Sequence, residues 1–380
     1  MKNDWQIKTL GEVCDVIGGG TPSKANANFY KGDIPWATVR DLKDGIIADT
    51  EFKITKEAVK QSSTNIIPKD NVIIASRVGL GKVCLLGMDA AINQDLRAII
   101  PKKANELSVN YLYRWLGSVS NLIVEAGSGA TVQGVRLPFI KGLEIPVPPL
   151  PEQRRIVAIL DDVFERTAKA KANAEKNLAN AKEVFESYLQ QVFANPIGDW
   201  KEKSIADVCV EIFAGGDAPN ENFSIEKSEK YAIPIYANAV KDRGLYGYTN
   251  FAKVTKPSIT IAARGSGTGH TELRNEAYLP IVRLIVLIPN TELVTLDFLK
   301  YKIDTIDILR SGSAIPQLTV PMIKEYGIPI PSLKEQRTIV SNLDALSSET
   351  KKLETIYRQK LSSLEELKKS VLRSAFRGEL

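Results

Sequence analysis

Two stretches of the chain place apolar or small residues, with one lysine among them, at alternating steps of four and three. In the first they fall at Ile156, Leu160, Val163, Thr167, Ala170, Ala174, Leu178, Ala181, Phe185, Tyr188 and Val192. In the second they fall at Ile339, Leu343, Leu346, Thr350, Leu353, Tyr357, Leu361, Leu364, Lys368, Val371 and Ala375. Each series has one extra step of four, from Ala174 to Leu178 and from Tyr357 to Leu361, the stutter that locally unwinds a coiled-coil seam. Residues 152–193 contain neither Pro nor Gly and are rich in Ala, Lys, Glu, Leu and Gln, all good helix formers. Pro151 and Glu152 suit a first helical turn, and "NPIG" at 195–198 ends it. The spacing predicts two helices of about 42 residues, roughly 60 Å each at 1.5 Å per residue.

A seam this narrow on a polar helix needs cover, and the other copy is the natural partner. The first helix carries one module at its start and delivers a second at its end. The second helix begins at that second module, so it covers the first without a long return linker only by running antiparallel. Ile156, Leu160, Val163, Ala170 and Ala174 are then expected to pack with Ile339, Leu343, Leu346, Leu353, Tyr357 and Leu361.

Elsewhere the period changes. Short β-rich runs such as "NVIIASRVG", "LRAIIP", "SITIAARG" and "IVRLIVLIP" are separated by Gly, Pro and Asn. Each module adds one helix-like stretch, "VNYLYRWLGSVSNLIVE" or "LDFLKYKIDTIDILRSG". The chain reads as α+β: modules at 1–150 and 196–333, helical segments at 151–195 and 334–380, with an internal pseudo-two-fold repeat.

The repeat is explicit. "IPVPPLPEQRRIVAILDD" at 145–162 returns as "IPIPSLKEQRTIVSNLDA" at 328–345, an offset of 183 (145 against 328). The match extends without a gap through Pro138, Ile140 and Lys141 (Pro321, Ile323, Lys324) and through Leu178, Ser187 and Phe193 (Leu361, Ser370, Phe376). "DWQIKTLGEVCDV" from Asp4 and "DWKEKSIADVCVEI" from Asp199 open the halves alike, whereas their middles diverge apart from echoes such as "IIASRVGLGKV" against "TIAARGSGTGHT". Fixed ends around diverged middles suggest one kind of job done on two different targets.

Composition narrows the class. The 380 residues are too many for one typical core, and 44% hydrophobic with 25% charged residues is ordinary for a globular protein. A formal charge of +5 permits a nucleic-acid partner without demanding one. No run approaches the ~20 apolar residues of a membrane span. The N-terminal residues lack a secretion-signal pattern, and three cysteines fit a reducing cytoplasm. A soluble cytoplasmic protein is expected.

Candidate chemistry is sparse. The single histidine, His270, sits in a Gly-rich turn, and no His or Cys pair has metal-ligand spacing. "GLGK" at 79–82 lacks the leading glycine and the Ser/Thr of a P-loop, and "GSGTGH" at 265–270 has histidine where a dinucleotide fingerprint needs glycine. No Asn-Pro-Pro-aromatic or Asp-Pro-Pro-aromatic tetrapeptide occurs. These absences point away from a self-sufficient enzyme.

The duplicated phrases "IPVPPLPEQRRIV" and "IPIPSLKEQRTIV" carry a resemblance. With the helix ends "SYLQQVFANPIGDW" and "SVLRSAFRGEL", and with "DIPWATVRDL" (33–42) and "AINQDLRAIIP" (91–101), the chain resembles the specificity (S) subunit of type I restriction–modification enzymes. Ser332 and Lys334 depart from the prolines at 149 and 151, which would loosen the start of the second helix. The resemblance implies two target-recognition domains, each reading half of a bipartite, asymmetric double-stranded DNA site. It implies helices that set the gap and dock two modification (M) subunits, with restriction (R) subunits joining. S-adenosylmethionine, ATP and Mg would belong to those partners, and the chain itself would catalyse nothing and hold no cofactor or metal. Half-sites one helical turn apart are about 34 Å distant, within reach of such a spacer.

Base edges are read mostly by Arg, Lys, Asn and Gln, and phosphates by cations and hydroxyls. On that chemistry the candidate DNA contacts are Thr38, Arg40, Arg77, Lys82, Gln94, Arg97 and Arg136 in the first module. In the second they are Lys241, Arg243, Arg264, Ser266, His270, Arg274 and Gln317. Arg77 and Arg264 lead, because each follows a β-like run and enters a Gly-rich turn. The competing interpretation for each is a solvated surface charge. The competing function is a non-enzymatic coiled-coil scaffold presenting two protein- or glycan-binding modules.

Overall fold

The computed structural model describes residues 5–43, 45–128, 134–195, 199–265, 267–306 and 318–380. The chain divides into two compact units, residues 1–174 with 359–380 and residues 175–358.

In the first unit the larger sheet runs Cys14–Gly18, Leu96–Pro101, Val72–Ala75, Val83–Leu86 and Ile46–Ile47; its pairs are antiparallel except at the Ile46–Ile47 edge. Alternation along Val72–Ala75 explains why all four residues are buried. Val72 and Ile74 join a core with Tyr111 and Trp115, whereas Ile73 and Ala75 join another with Ile92 and Leu96. A smaller sheet orders Phe52–Ile54, Ile34–Ala37, Ala90–Ile92 and Ile66–Ile67. A two-stranded ribbon joins Gln6–Thr9 to Glu144–Val147.

The second unit repeats the centre of this plan with different edge strands. Its first sheet runs Cys209–Ala214, Ile285–Pro289, Ser258–Ile261 and Thr271–Arg274. Its second runs Phe223–Ser224, Leu245–Thr249, Ile233–Tyr236 and Leu279–Pro280, and Lys201–Ser204 pairs with Gly327–Ile330. The parallel pair of Ile34–Ala37 with Ala90–Ile92 recurs as Ile233–Tyr236 with Leu279–Pro280. After each opening strand a one-turn helix, Leu10–Val13 or Ile205–Val208, is closed by a capping box, Thr9 with Glu12 or Ser204 with Asp207.

The helix-like stretch of the first module is two helices, Val109–Ser118 and Ser120–Glu125, broken at Val119. The Ser118 hydroxyl donates to the Trp115 carbonyl (2.6 Å), competing locally with the helical ladder. Its counterpart in the second module is helical over Leu296–Asp304.

Leu150–Ala194 and Leu333–Arg377 are the two long helices, 45 residues each. Within the first unit their segments run antiparallel. Arg155 bonds the carbonyl of Leu380 and Lys171 pairs with Glu365 (both 2.8 Å), so one number rises as the other falls. Within the second unit Leu189 and Phe193 share a core with Leu343. The apolar seam is covered by more than a partner helix: Ile156 and Leu160 lie in the core formed by Tyr111, Trp115 and Ile145. Tyr111 packs edge-on to Phe376 (5.3 Å), as Phe193 packs edge-on to Phe298 (5.3 Å).

Two expectations need correction. Leu353 does not pack in the seam: it is 42% exposed, while the next residue, Glu354, turns inward. After Thr350 the second helix therefore continues its seam through Glu354 to Tyr357, one residue out of phase with the sequence pattern. The start of that helix is also not loosened by Ser332, whose hydroxyl caps the Glu335 N–H (3.3 Å) while its carbonyl accepts from Gln336 N (2.9 Å). No helix among the described residues is long and apolar enough to cross a membrane.

Candidate nucleic-acid interface

Each unit carries a hairpin whose glycines let it turn sharply. In the first, residues 76–82 link Val72–Ala75 to Val83–Leu86, with Gly79 and Gly81 at φ of 72° and 83°. Three other segments converge on this hairpin. Ser76 and Arg77 donate backbone N–H bonds to Asp95 O (2.8 and 3.2 Å), and Val135 N donates to Ser76 O (2.8 Å). Gly79 approaches Val39 so closely that a Cβ there would lie 2.9 Å from its Cγ1. Asn93 N bonds Ala37 O (3.0 Å), tying the 38–41 turn to the 93–95 turn. Arg40, Arg77, Gln94 and Arg136 are thus gathered from four separate places in the chain.

Their side chains are differently committed. Lys82 and Arg136 are exposed, with no carboxylate among the described residues at ion-pair distance. Arg77 is half-exposed, its Nη1 3.6 Å from Asp95 Oδ1. Gln94 accepts the Thr21 hydroxyl, and Arg40 pairs with Glu51 (3.0 Å). Arg97 lies over Gly18, where a Cβ would collide with its guanidinium, and its Nε is buried without a hydrogen-bond partner. Thr38 is buried; its N–H and hydroxyl both donate to Asp41 Oδ2 (2.7 and 3.0 Å), capping a 3₁₀ turn.

The second unit builds its tip the same way. Residues 262–270 turn at Gly265 and Gly269 (φ 81° and 87°), and Leu318 N donates to Ala263 O (2.9 Å) just as Val135 donates to Ser76. Asn238 clamps the hairpin, donating from Nδ2 to Arg264 O (2.7 Å) and accepting from the N–H groups of Ala263 and Arg264. Arg264 and Lys241 are exposed and without a carboxylate at ion-pair distance among the described residues. Arg243, at φ 56°, donates to Glu272 Oε2 and Leu273 O (both 2.8 Å), and His270 Nε2 lies 3.1 Å from Glu272 Oε1. Partial burial works against the Glu272 charge, yet Arg243 and His270 still hold its carboxyl below the ordinary glutamate value.

Arg274 was expected at the surface and is not there. It is 1% exposed, with its guanidinium 3.5 Å from the Tyr236 ring centre, Nε bonded to Thr260 Oγ1 (3.2 Å) and Nη2 to Arg243 O. Desolvation lowers its pKa. Arg274 and Thr38 therefore brace the tips from inside instead of presenting donors at them. Ser266 and Gln317 lie outside the described residues.

The base of each head holds one glutamine that sequence reasoning passed over. Gln153 and Gln336, from the two Glu-Gln-Arg phrases, are both 0% exposed. Gln153 accepts from Ser108 N (2.9 Å) and donates to the carbonyls of Glu106 and Pro148 (2.8 Å each). Gln336 accepts from Thr295 N (2.8 Å) and donates to the carbonyls of Leu293 (2.9 Å) and Pro331 (3.0 Å). Each amide thus locks the start of a long helix to the N-cap of a module helix. The only signal in the sequence was the return of the same Gln in both copies.

Among the described residues no group of three His, Cys, Asp or Glu side chains is placed to hold a metal ion. Burial pushes the Cys14 and Cys209 thiols up to about 12. The arrangement is that of a tandem α+β protein with two helix-mounted heads, each ending in a polar, largely cationic tip.

Comparison with known proteins gives that architecture a family. Residues 2–178 and 197–363 each match the type I restriction modification DNA specificity domain, and the chain belongs to that family. It is 35% identical over 196 residues to the specificity subunit of the Escherichia coli type I restriction enzyme EcoR124I/EcoR124II. That match covers 50% of this chain and 48% of the relative, so the chain spans about half of that relative's length. The fold matches a chain of a type I R-M system (TM-score 0.83, 20% identity, covering 100% of this chain and 99% of the other). It also matches the HsdS subunit from Thermoanaerobacter tengcongensis (TM-score 0.69, 21% identity, covering 100% and 98%). At these identities the two structures speak for the fold alone.

Proposed function

We propose that this chain is the DNA-specificity subunit of a type I restriction–modification complex and catalyses no reaction itself. Each head reads one half of a bipartite, asymmetric double-stranded site, and the two long helices set the gap between the halves. The chain docks two modification (methyltransferase) subunits and admits restriction subunits; S-adenosylmethionine, ATP and Mg belong to those partners. A cytoplasmic location follows from that role.

One observation carries the reading. The two heads share the four central strands of the larger sheet, the parallel pair of the smaller one, the hairpin position and backbone bonds such as Val135–Ser76 and Leu318–Ala263, yet the side chains at their tips differ. A conserved frame with unlike tips suits two different half-sites. Hairpins that expose Arg77 and Arg264 beside glycines suit close approach to phosphate and base edges.

Methylation-sensitive sequencing of the native genome tests the role. The expected result is a two-part, asymmetric adenine-methylation motif that disappears when this gene is deleted; a motif that persists overturns it. A salt-titrated gel shift separates it from a protein- or glycan-binding scaffold, because specific binding to DNA must weaken with salt as counterions are released.

A further inference from the structure

This inference rests on the DNA-reading role and concerns one turn. In the first head, Asn93 N donates to Ala37 O (3.0 Å) and Leu96 N to Asn93 O (3.2 Å). In the second, Ile281 N donates to Tyr236 O (2.9 Å) and Leu284 N to Ile281 O (3.1 Å). The two turns share these two bonds, which aligns Asp95 with Arg283 along the chain, although Ser76 and Arg77 donate to the Asp95 carbonyl whereas Ala263 and Arg264 donate to Asn238. In the first head the Asp95 carboxylate stands 3.6 Å from Arg77 and damps its charge. The second head has a cation at that place. Neither Arg283 nor Arg264, the counterpart of Arg77, has a carboxylate at ion-pair distance among the described residues.

The backbone of this turn is strained. Val282 and Arg283 have φ of 52° and 63°, a region that β-branched and long side chains rarely occupy. Backbone bonds from Val282 N to Gly216 O (2.7 Å) and from Arg283 N to Gly215 O (3.3 Å) hold it there. Packing does not offset the strain, since Val282 is 47% exposed and Arg283 is exposed as well. Strain kept without a burial gain is characteristic of ligand-contacting turns.

We propose that Arg283 contacts a DNA phosphate, an anchor that the first head lacks because Asp95 stands in its place. The planar guanidinium donates two N–H bonds to phosphate oxygens. The test uses the 380-residue chain and a mixed-sequence duplex of about 40 base pairs, with affinity measured from about 50 to 300 mM salt. Arg283→Ala is expected to lower the slope of log affinity against log salt by about 0.9, with a roughly three- to tenfold loss near 0.1 M. Arg283→Gly removes the same charge while relieving the positive-φ strain, so it shows the same losses with a thermal midpoint no lower than that of the unaltered chain. Arg166→Ala, an exposed charge on the first long helix paired with Asp162, leaves the slope unchanged. Retention of the parent slope by both Arg283 variants overturns the proposal. Failure of the unaltered chain to bind any duplex overturns the DNA-reading role itself, a distinguishable result.

Discussion

Both heads mix paired and free cations, and they differ in which arginines a carboxylate reaches. In the first, Arg40 pairs with Glu51 and Arg77 approaches Asp95, while Lys82 and Arg136 have no carboxylate at ion-pair distance among the described residues. In the second, Arg264, Lys241 and Arg283 have no carboxylate at ion-pair distance among the described residues, while Arg243 and His270 pair with Glu272 and Arg274 is buried against Tyr236. Two frames with the same central strands thus differ at one aligned pair: Arg77 has Asp95 beside it, whereas Arg264 has no carboxylate at ion-pair distance among the described residues. Positive character at a head's tip is set by which carboxylates the neighbouring loops supply, and a count of arginines does not reveal it.

The comparison can be broken most sharply at the part the heads share. Gln153→Ala and Gln336→Ala each leave one buried and two part-buried backbone groups without their partner, with an expected cost of about 3 kcal/mol. Urea unfolding should show the two variants losing similar stability; a large effect in one copy only would mean the clamps are not equivalent. Leu160→Ala and Leu343→Ala remove fully buried side chains from matching positions and should each cost about 3 kcal/mol, whereas Leu353→Ala should cost under about 1 kcal/mol by the same measurement. Equal losses at Leu353 and Leu343 would restore the simple heptad pattern.

On the proposed DNA-reading role, Arg264→Ala should weaken duplex binding by about tenfold and Arg77→Ala by less, since Asp95 already offsets part of the Arg77 charge. Gel shifts at one fixed salt concentration rank the two, and the reverse order would contradict the contrast drawn between the heads. The smallest effect concerns the two capping boxes. Hydrogen bonds from the backbone and side chain of Thr9 hold Glu12 below its ordinary carboxyl value, and Ser204 does the same for Asp207. A depressed folded pKa stabilises above the unfolded value and is lost as pH falls through the folded one, so each box weakens only in acid. Thr9→Ala and Ser204→Ala should return both carboxyls toward their ordinary values, as NMR titration of the side-chain carboxyls would show.

Sequence periodicity was enough to find both long helices, because a 3.6-residue repeat sustained over many turns is a local property of the chain. The duplicated phrases, the α+β modules and the strands at 72–75, 96–101, 258–261 and 285–289 were legible for the same reason. Only the tertiary structure decided that Arg274 is buried, that Glu354 replaces Leu353 in the seam, that Gln153 and Gln336 are clamps, and that Arg283 stands where the first head has Asp95. Each of those outcomes depends on a partner many residues away. A side chain's charge is written in the sequence, but its solvation and its counter-charge are set through space, by loops that meet only once the chain has folded.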